Sequence, residues 1–170
     1  RLNPRKGISI NINGQVGNRH IRKNPGVNPV AYSKLILSSA QYQSDAHIYF
    51  YLPIRGNNIL KFGFQGSTIF GNSTIYRNEL FRIGGLKTLR GFDEESIFAS
   101  TYVIPTLEYR FLFAKNSNMF LFSDAAWYEN NSNHKYVKDN PYSAGAGINI
   151  ETKAGILTLT CLPRNVTKSI

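Results

Sequence analysis

Apolar and polar residues alternate one for one along most of this chain. Ile8, Ile10, Ile12 and Val16 alternate with Ser9, Asn11, Asn13 and Gln15, a period of two that predicts a β-strand with one apolar and one polar face. A connection from Asn18 to about Ser39, with turn signals at Asn24-Pro25-Gly26 and Asn28-Pro29, leads to a second strand from about Ala40 to Ile54. There Ala46, Ile48, Phe50, Leu52 and Ile54 oppose Gln41, Gln43, Asp45, His47, Tyr49 and Tyr51. After a tight turn at Arg55-Gly56-Asn57, Leu60, Phe62 and Phe64 face away from Lys61, Gln65 and Ser67. Further on, Val103, Leu107, Tyr109, Phe111 and Phe113 alternate with Thr106, Glu108 and Arg110. A short turn from Lys115 to Asn118 then precedes the apolar run MFLFSDAAWY, which contains Asp124. Glu129 to Pro141 is polar, rich in asparagine, and reads as a loop. Ala144, Ala146, Ile148 and Ile150 alternate with Gly145, Gly147, Asn149 and Glu151, and a turn at Thr152 to Ala154 leads to a last strand from about Gly155 to Leu162.

One stretch breaks the pattern. Phe81 to Ser100, FRIGGLKTLRGFDEESIFAS, shows no strand alternation yet carries Phe81, Ile83, Leu86, Leu89, Phe92, Ile97 and Phe98. A solvated linker has no need of that much apolar side chain, and a loop of this length inside an ordered array usually has a function. Gly84-Gly85 and Gly91 allow the backbone to hinge, so the loop is expected to fold back onto something.

Connection lengths decide the class. They run long after the first strand, then short, very long, short, long and short, as in transmembrane barrels with short turns on one side and long loops on the other. Charged and amide side chains recur on one strand face, as a wet lumen requires, while Ile, Leu and Phe fill the other, as lipid requires. Trp127 and several Tyr and Phe sit near strand ends, like interfacial girdles. A soluble antiparallel sandwich also alternates, but its strands average about five or six residues, shorter than these. No run approaches about 18 apolar residues, which excludes a transmembrane helix and says nothing against strands. About seven strands are counted, whereas bacterial outer-membrane barrels have even numbers from about eight upward. Residues 1–170 are therefore expected to be all-β, part of a larger antiparallel transmembrane β-barrel, with the loop at 71–100 folding into its lumen. The opening RLNPRKGISI lacks an apolar signal core and reads as the interior of a longer protein.

Composition narrows the chemistry. The formal charge is +10, but charged residues are only 18% of the chain and the densest basic run, Arg19 to Lys23, holds Arg19, Arg22 and Lys23 alone. Nucleic-acid binders concentrate their cations, so no nucleic-acid partner is expected. That run is read as solvated loop charge, with lipopolysaccharide phosphates the alternative. A single cysteine, Cys161, excludes an intrachain disulfide and CxxC-type metal sites. His20, His47 and His134 lack ligand spacing, and no Ser-His-Asp or Cys-His arrangement emerges, so no catalytic residue, metal or cofactor is expected. Asp93-Glu94-Glu95 is read as solvated charge. Glu108 and Asp124 differ: strand parity puts Glu108 on the polar face, and Asp124, the only charge in its strand, would be expensive against lipid. Both are expected to face inward, where a docking loop needs a cation.

Gly84-Gly85-Leu86, Leu89-Arg90-Gly91-Phe92, Thr106-Leu107-Glu108-Tyr109-Arg110-Phe111 and Phe122-Ser123-Asp124 together resemble the C-terminal half of the BamA/TamA-type outer-membrane assembly and translocation barrels, the bacterial surface antigen superfamily. The resemblance runs from about Asn3 to Leu162. It implies a barrel of about sixteen strands, preceded by periplasmic POTRA domains, with an Arg-Gly-Phe tripeptide in the sixth extracellular loop tucked into the lumen. On this resemblance Arg90, Gly91 and Phe92 form the docking tip, Gly84 and Gly85 belong to the same motif, and Glu108 and Asp124 are the acceptors on the wall. Gly91 would let the tip turn and Phe92 would wedge against wall aromatics. Two departures stand out: Pro105 lies within a strand, where it should mark a bulge or a lost ladder bond, and the family's final strand and POTRA domains are not in this sequence.

The resemblance implies a non-enzymatic assembly, insertion or translocation factor in the bacterial outer membrane, working by strand templating and bilayer perturbation. Its partners would be outer-membrane lipids and lipopolysaccharide, client outer-membrane proteins, and periplasmic accessory lipoproteins bound through POTRA domains. A porin-like channel or surface antigen barrel without assembly activity, and a soluble basic β-domain, remain as alternatives.

Overall fold

A computed structural model describes residues 3–26, 28–32, 36–132, 135–153 and 155–162. In chain order the strands are β1 (Gly7–His20), β2 (Ser38–Pro53), β3 (Asn58–Gly71), β4 (Phe81–Ile83), β5 (Ile97–Ala99), β6 (Thr101–Leu112), β7 (Asn118–Ala125), β8 (Trp127–Ser132), β9 (Lys135–Asp139), β10 (Tyr142–Thr152) and β11 (Gly155–Cys161). The main sheet is antiparallel in the order β1-β2-β3-β6-β7-β10-β11. It forms an open stretch of wall, with β1 and β11 at its two ends. No α-helix occurs among the described residues.

The alternation in the sequence becomes two faces. On β3 and β6, Phe62, Phe64, Leu107, Tyr109 and Phe111 point outward and are exposed, while Ile59, Ser67, Tyr102, Ile104 and Glu108 are buried on the other side. The outward apolar band from Val103 to Phe113 measures about 25 Å, at ~3.3 Å per residue and ~40° tilt, the height of a membrane band. β1 has 14 residues and β2 has 16, long enough to cross that band and project beyond it. At the ends of the band Tyr42 stacks on its cross-strand partner Phe70 at 5.4 Å, and Trp127 and Tyr142 are exposed.

Two regions depart from the sequence expectation. Glu129 to Pro141 is not a loop: β8 pairs with β9 from Tyr128↔Asp139 to Ser132↔Lys135, and the Ala126 amide donates to the Pro141 carbonyl at 2.8 Å. β7 with β8, and β9 with β10, therefore run as two continuous ribbons. They project past the apolar band, where neither face carries a run of Ile, Leu and Phe, and apolar alternation cannot mark a strand there. His134 lies outside the described residues. Within Phe81 to Ser100, β4 and β5 pair as a small ribbon, Phe81↔Ala99 to Ile83↔Ile97, although no alternation announces them.

Pro105 has a visible consequence. β6 pairs with β7 at Thr106↔Asp124 and with β8 at Val103↔Trp127, and the ladder lapses between them, where proline has no N–H to give. On its other side Pro105 stays in register with Phe64 of β3.

Candidate functional site

The loop between β3 and β6 is tied to the sheet at both ends. Ile69 donates its amide to the Ser100 carbonyl at 2.9 Å, and Ser100 donates to the Glu129 carbonyl at 2.8 Å. Inside it, Gly84 and Gly85 have φ of 119° and 88°, values that only glycine adopts readily. A side chain on either would strike the Asp93 carbonyl or the Glu94 carboxylate. The Thr88 hydroxyl bridges the Gly84 amide (2.9 Å) and carbonyl (2.8 Å), and the Gly85 amide donates to the Phe92 carbonyl at 3.1 Å. These bonds close residues 84–92 into a tight lobe with Arg90 near its tip.

The lobe packs on the polar face of the wall through an apolar patch. Ile83, Leu89 and Ala99 of the loop bury against Tyr102, Ile104 and Ala126 of the wall, flanked by Phe81, Phe92, Ile97 and Tyr128. Leu89 is 0% exposed. This contact sets the lobe's height on the wall and carries Arg90 to two buried carboxylates.

Arg90 forks onto Asp124. Its Nε donates to Oδ2 and one terminal nitrogen donates to Oδ1, both at 2.7 Å, while its other terminal nitrogen donates to Glu108 Oε2 at 3.0 Å. The planar guanidinium matches a carboxylate in this bidentate geometry, which a lysine cannot reproduce. Asp124 is 0% exposed and Glu108 3%. Burial works against the Arg90 charge, but the hydrogen bonds and charge of Asp124, with Glu108 behind them, more than offset it and raise its pKa. Phe122 supplies the floor, its ring centroid 3.7 Å from the guanidinium carbon.

Small residues on β10 make room for this floor. A Cβ on Gly145 would lie 2.9 Å from the Phe122 ring and 2.6 Å from the Cys161 carbonyl, and one on Gly147 would strike Phe120. Ser143, opposite Asp124, is buried beside the loop tip, where Gly91 has φ of 94° and a Cβ would come within 3.1 Å of Ser143.

Glu108 is also held by the wall itself. Arg110 Nε donates to its Oε1 at 2.5 Å, and Lys61, its cross-strand partner on β3, stands 3.8 Å away. Three cations thus surround two carboxylates. Of the residues singled out in the sequence, Arg90, Glu108 and Asp124 meet directly, Phe92 flanks the apolar contact, Gly91 turns the tip, and Gly84 and Gly85 shape the lobe away from the carboxylates. Lys61, Arg110, Phe122 and Gly145 complete the site; Arg110 and Phe122 lie in the motifs that carry the resemblance, but none of the four was given a role from sequence. Parity held the signal for the first three, since each shares a face with Glu108 or Asp124. Asp93 and Glu94 are exposed, and Glu95 pairs with Arg82 at 3.3 Å in solvent. Among the described residues no cluster of His, Cys, Asp and Glu could hold a metal ion.

No curated protein matches the chain significantly. Residues 1–160 match the model of the Omp85 superfamily domain, a stretch that takes in the whole loop and almost all of the sheet. The chain belongs to the Omp85 superfamily, whose members are in general outer-membrane proteins that assemble or translocate other proteins.

Proposed function

We propose that this chain is barrel wall and plug loop of an outer-membrane assembly, insertion or translocation factor that catalyses no covalent step and hydrolyses no nucleotide. In a closed barrel the polar face lines the lumen, so the loop at 71–100 sits inside it. The observation that carries this reading is the Arg90 fork on Asp124 and Glu108. Such a buried, shape-specific ion pair is an expensive way to hold a loop that only links two strands. Its use is to keep the wall between β6 and β7 in one geometry while clients pair strands and disturb the bilayer elsewhere on the barrel. Clients would be other outer-membrane proteins, with lipid and lipopolysaccharide around the wall. A porin-like channel would need this lumen open, and the lobe covers the β6 and β7 side of it.

The test is complementation. In cells depleted of the wild-type protein, an Arg90→Ala copy should lower the amount of heat-modifiable, folded client proteins in the outer membrane several-fold, while the variant barrel itself stays folded. Wild-type client levels with the loop demonstrably released would overturn the proposal.

A further inference from the structure

The loop is held at a second place, by Arg19, which the sequence marks as solvated loop charge or a lipopolysaccharide contact and which instead lies in β1. Arg19, on the inner face near the end of β1, reaches across the sheet to the first turn of the loop. One terminal nitrogen donates to both Glu79 carboxylate oxygens at 3.1 Å and to the Thr74 carbonyl at 3.1 Å, and the other donates to Ser73 Oγ at 2.6 Å. The strand between them offers Ser39 opposite Arg19, a small residue, 3% exposed, that lets the long side chain pass. Glu79 is itself fixed, since it accepts the Tyr76 amide at 2.7 Å and closes the short 3-10 turn Arg77–Glu79. Tyr76 lies under the guanidinium, 4.9 Å from its carbon to the ring centroid.

This arrangement exchanges the charges of the Arg90 site, with one terminal nitrogen of Arg19 on both Glu79 oxygens in place of the Arg90 fork. At Arg90 the loop brings the guanidinium, and the wall brings the carboxylate and the aromatic floor; at Arg19 the wall brings the guanidinium, and the loop brings the carboxylate and the floor. We infer that Arg19 and Glu79 form an outer latch, a pair of positioning residues that binds the loop's entry segment to β1 and, with Arg90, makes the loop a strap across the wall from β1 to β7. Opposite polarity at the two ends fixes the strap's direction, because a loop docked the wrong way round would set like charges against each other. The side chains of Arg19 and Glu79 are 18% and 16% exposed, so the latch is drier than a surface ion pair but wetter than the Arg90 site. It is therefore the end that opens first. The inference concerns the loop alone and stands whether the barrel assembles clients or passes solutes.

Limited trypsin digestion of the protein in outer-membrane vesicles reads the two ends separately. Arg77 lies beside the outer latch and Lys87 in the inner lobe, and both are exposed. Glu79→Gln and Arg19→Gln should each speed cleavage after Arg77 several-fold and leave cleavage after Lys87 nearly unchanged. Arg19→Lys, which keeps a cation beside Glu79 but cannot reach Glu79, Thr74 and Ser73 together, should restore part of the protection. Heat-modifiable mobility on gels confirms a folded barrel for each variant, and the mild Glu79→Gln change keeps the test open if an Arg19 variant fails to fold. Unchanged cleavage after Arg77 in folded single variants would overturn the latch. So would equal acceleration at both sites, which would mean a general loosening of the loop.

Discussion

Arg90 and Asp124 meet through two hydrogen bonds of 2.7 Å, one from Nε and one from a terminal nitrogen, with the carboxylate wholly buried. Glu108 has Arg110 and Lys61 to fall back on, whereas Arg90 is the only ion-pair partner of Asp124 among the described residues. Removing Arg90 therefore strands Asp124 most of all. Leaving a buried charge without its partner costs about 3–5 kcal/mol. Arg90→Ala should release the loop to protease while the strands stay paired, and Arg90→Lys should rescue only part of the protection, since a point charge cannot fork. Digestion of intact membranes checks both.

The two acceptors should not be equivalent. Asp124→Asn removes the charge from the forked bond and should loosen the loop nearly as much as Arg90→Ala. Glu108→Gln leaves Arg110 and Lys61 facing each other without their shared carboxylate, so it should destabilise the wall more than the loop. Thermal unfolding of the barrel, set beside loop protection for each variant, separates the two effects.

Gly145→Ala should act at a distance on Arg90. The added methyl would press on the Phe122 ring and the Cys161 carbonyl. Overpacking of this kind costs about 1–3 kcal/mol. It should also push the floor toward the guanidinium and weaken docking. Combining it with Phe122→Leu should recover only the part of the stability lost to the ring contact, since the Cys161 carbonyl still blocks the methyl, and should not recover the docking, because the cation–π contact, about 2 kcal/mol in a dry site, is gone. A four-state comparison of thermal midpoints and loop protection measures this.

Lipid should tell the faces apart. Leu121, 59% exposed on the outward face of β7, should cost about 2–4 kcal/mol as Leu121→Arg if it lies near mid-bilayer. Gln65→Arg, on the inward polar face of β3, should cost far less. Denaturant titration in detergent or lipid vesicles gives both values.

Most of the sheet was legible because period two survives wherever one face meets lipid and the other water. β8 and β9 were hidden for the complementary reason, as beyond the band polar residues fall on both of their faces and break the alternation. Phe120 and Phe122 show the opposite failure: they face inward among apolar outward neighbours, so MFLFSDAAWY looks apolar on both sides and only Asp124 marks the inner one. Parity placed Glu108 inward and the cost of a lone charge against lipid placed Asp124 there, but the cation had to come from family resemblance. Lys61 sits opposite Glu108 across a pairing that spans the whole loop, and Arg19 lies one strand further still from Glu79. Contacts that cross a long loop leave no local trace in sequence.

The most direct measurement is thiol labelling at Leu89, buried beside Arg90, in a Cys161→Ser background that removes the exposed native thiol. Leu89→Cys should resist a membrane-impermeant maleimide in intact outer membranes and become reactive when Arg90→Ala is added. Equal labelling with and without Arg90, whether fast or absent, would contradict the claim that this arginine holds the loop against the wall.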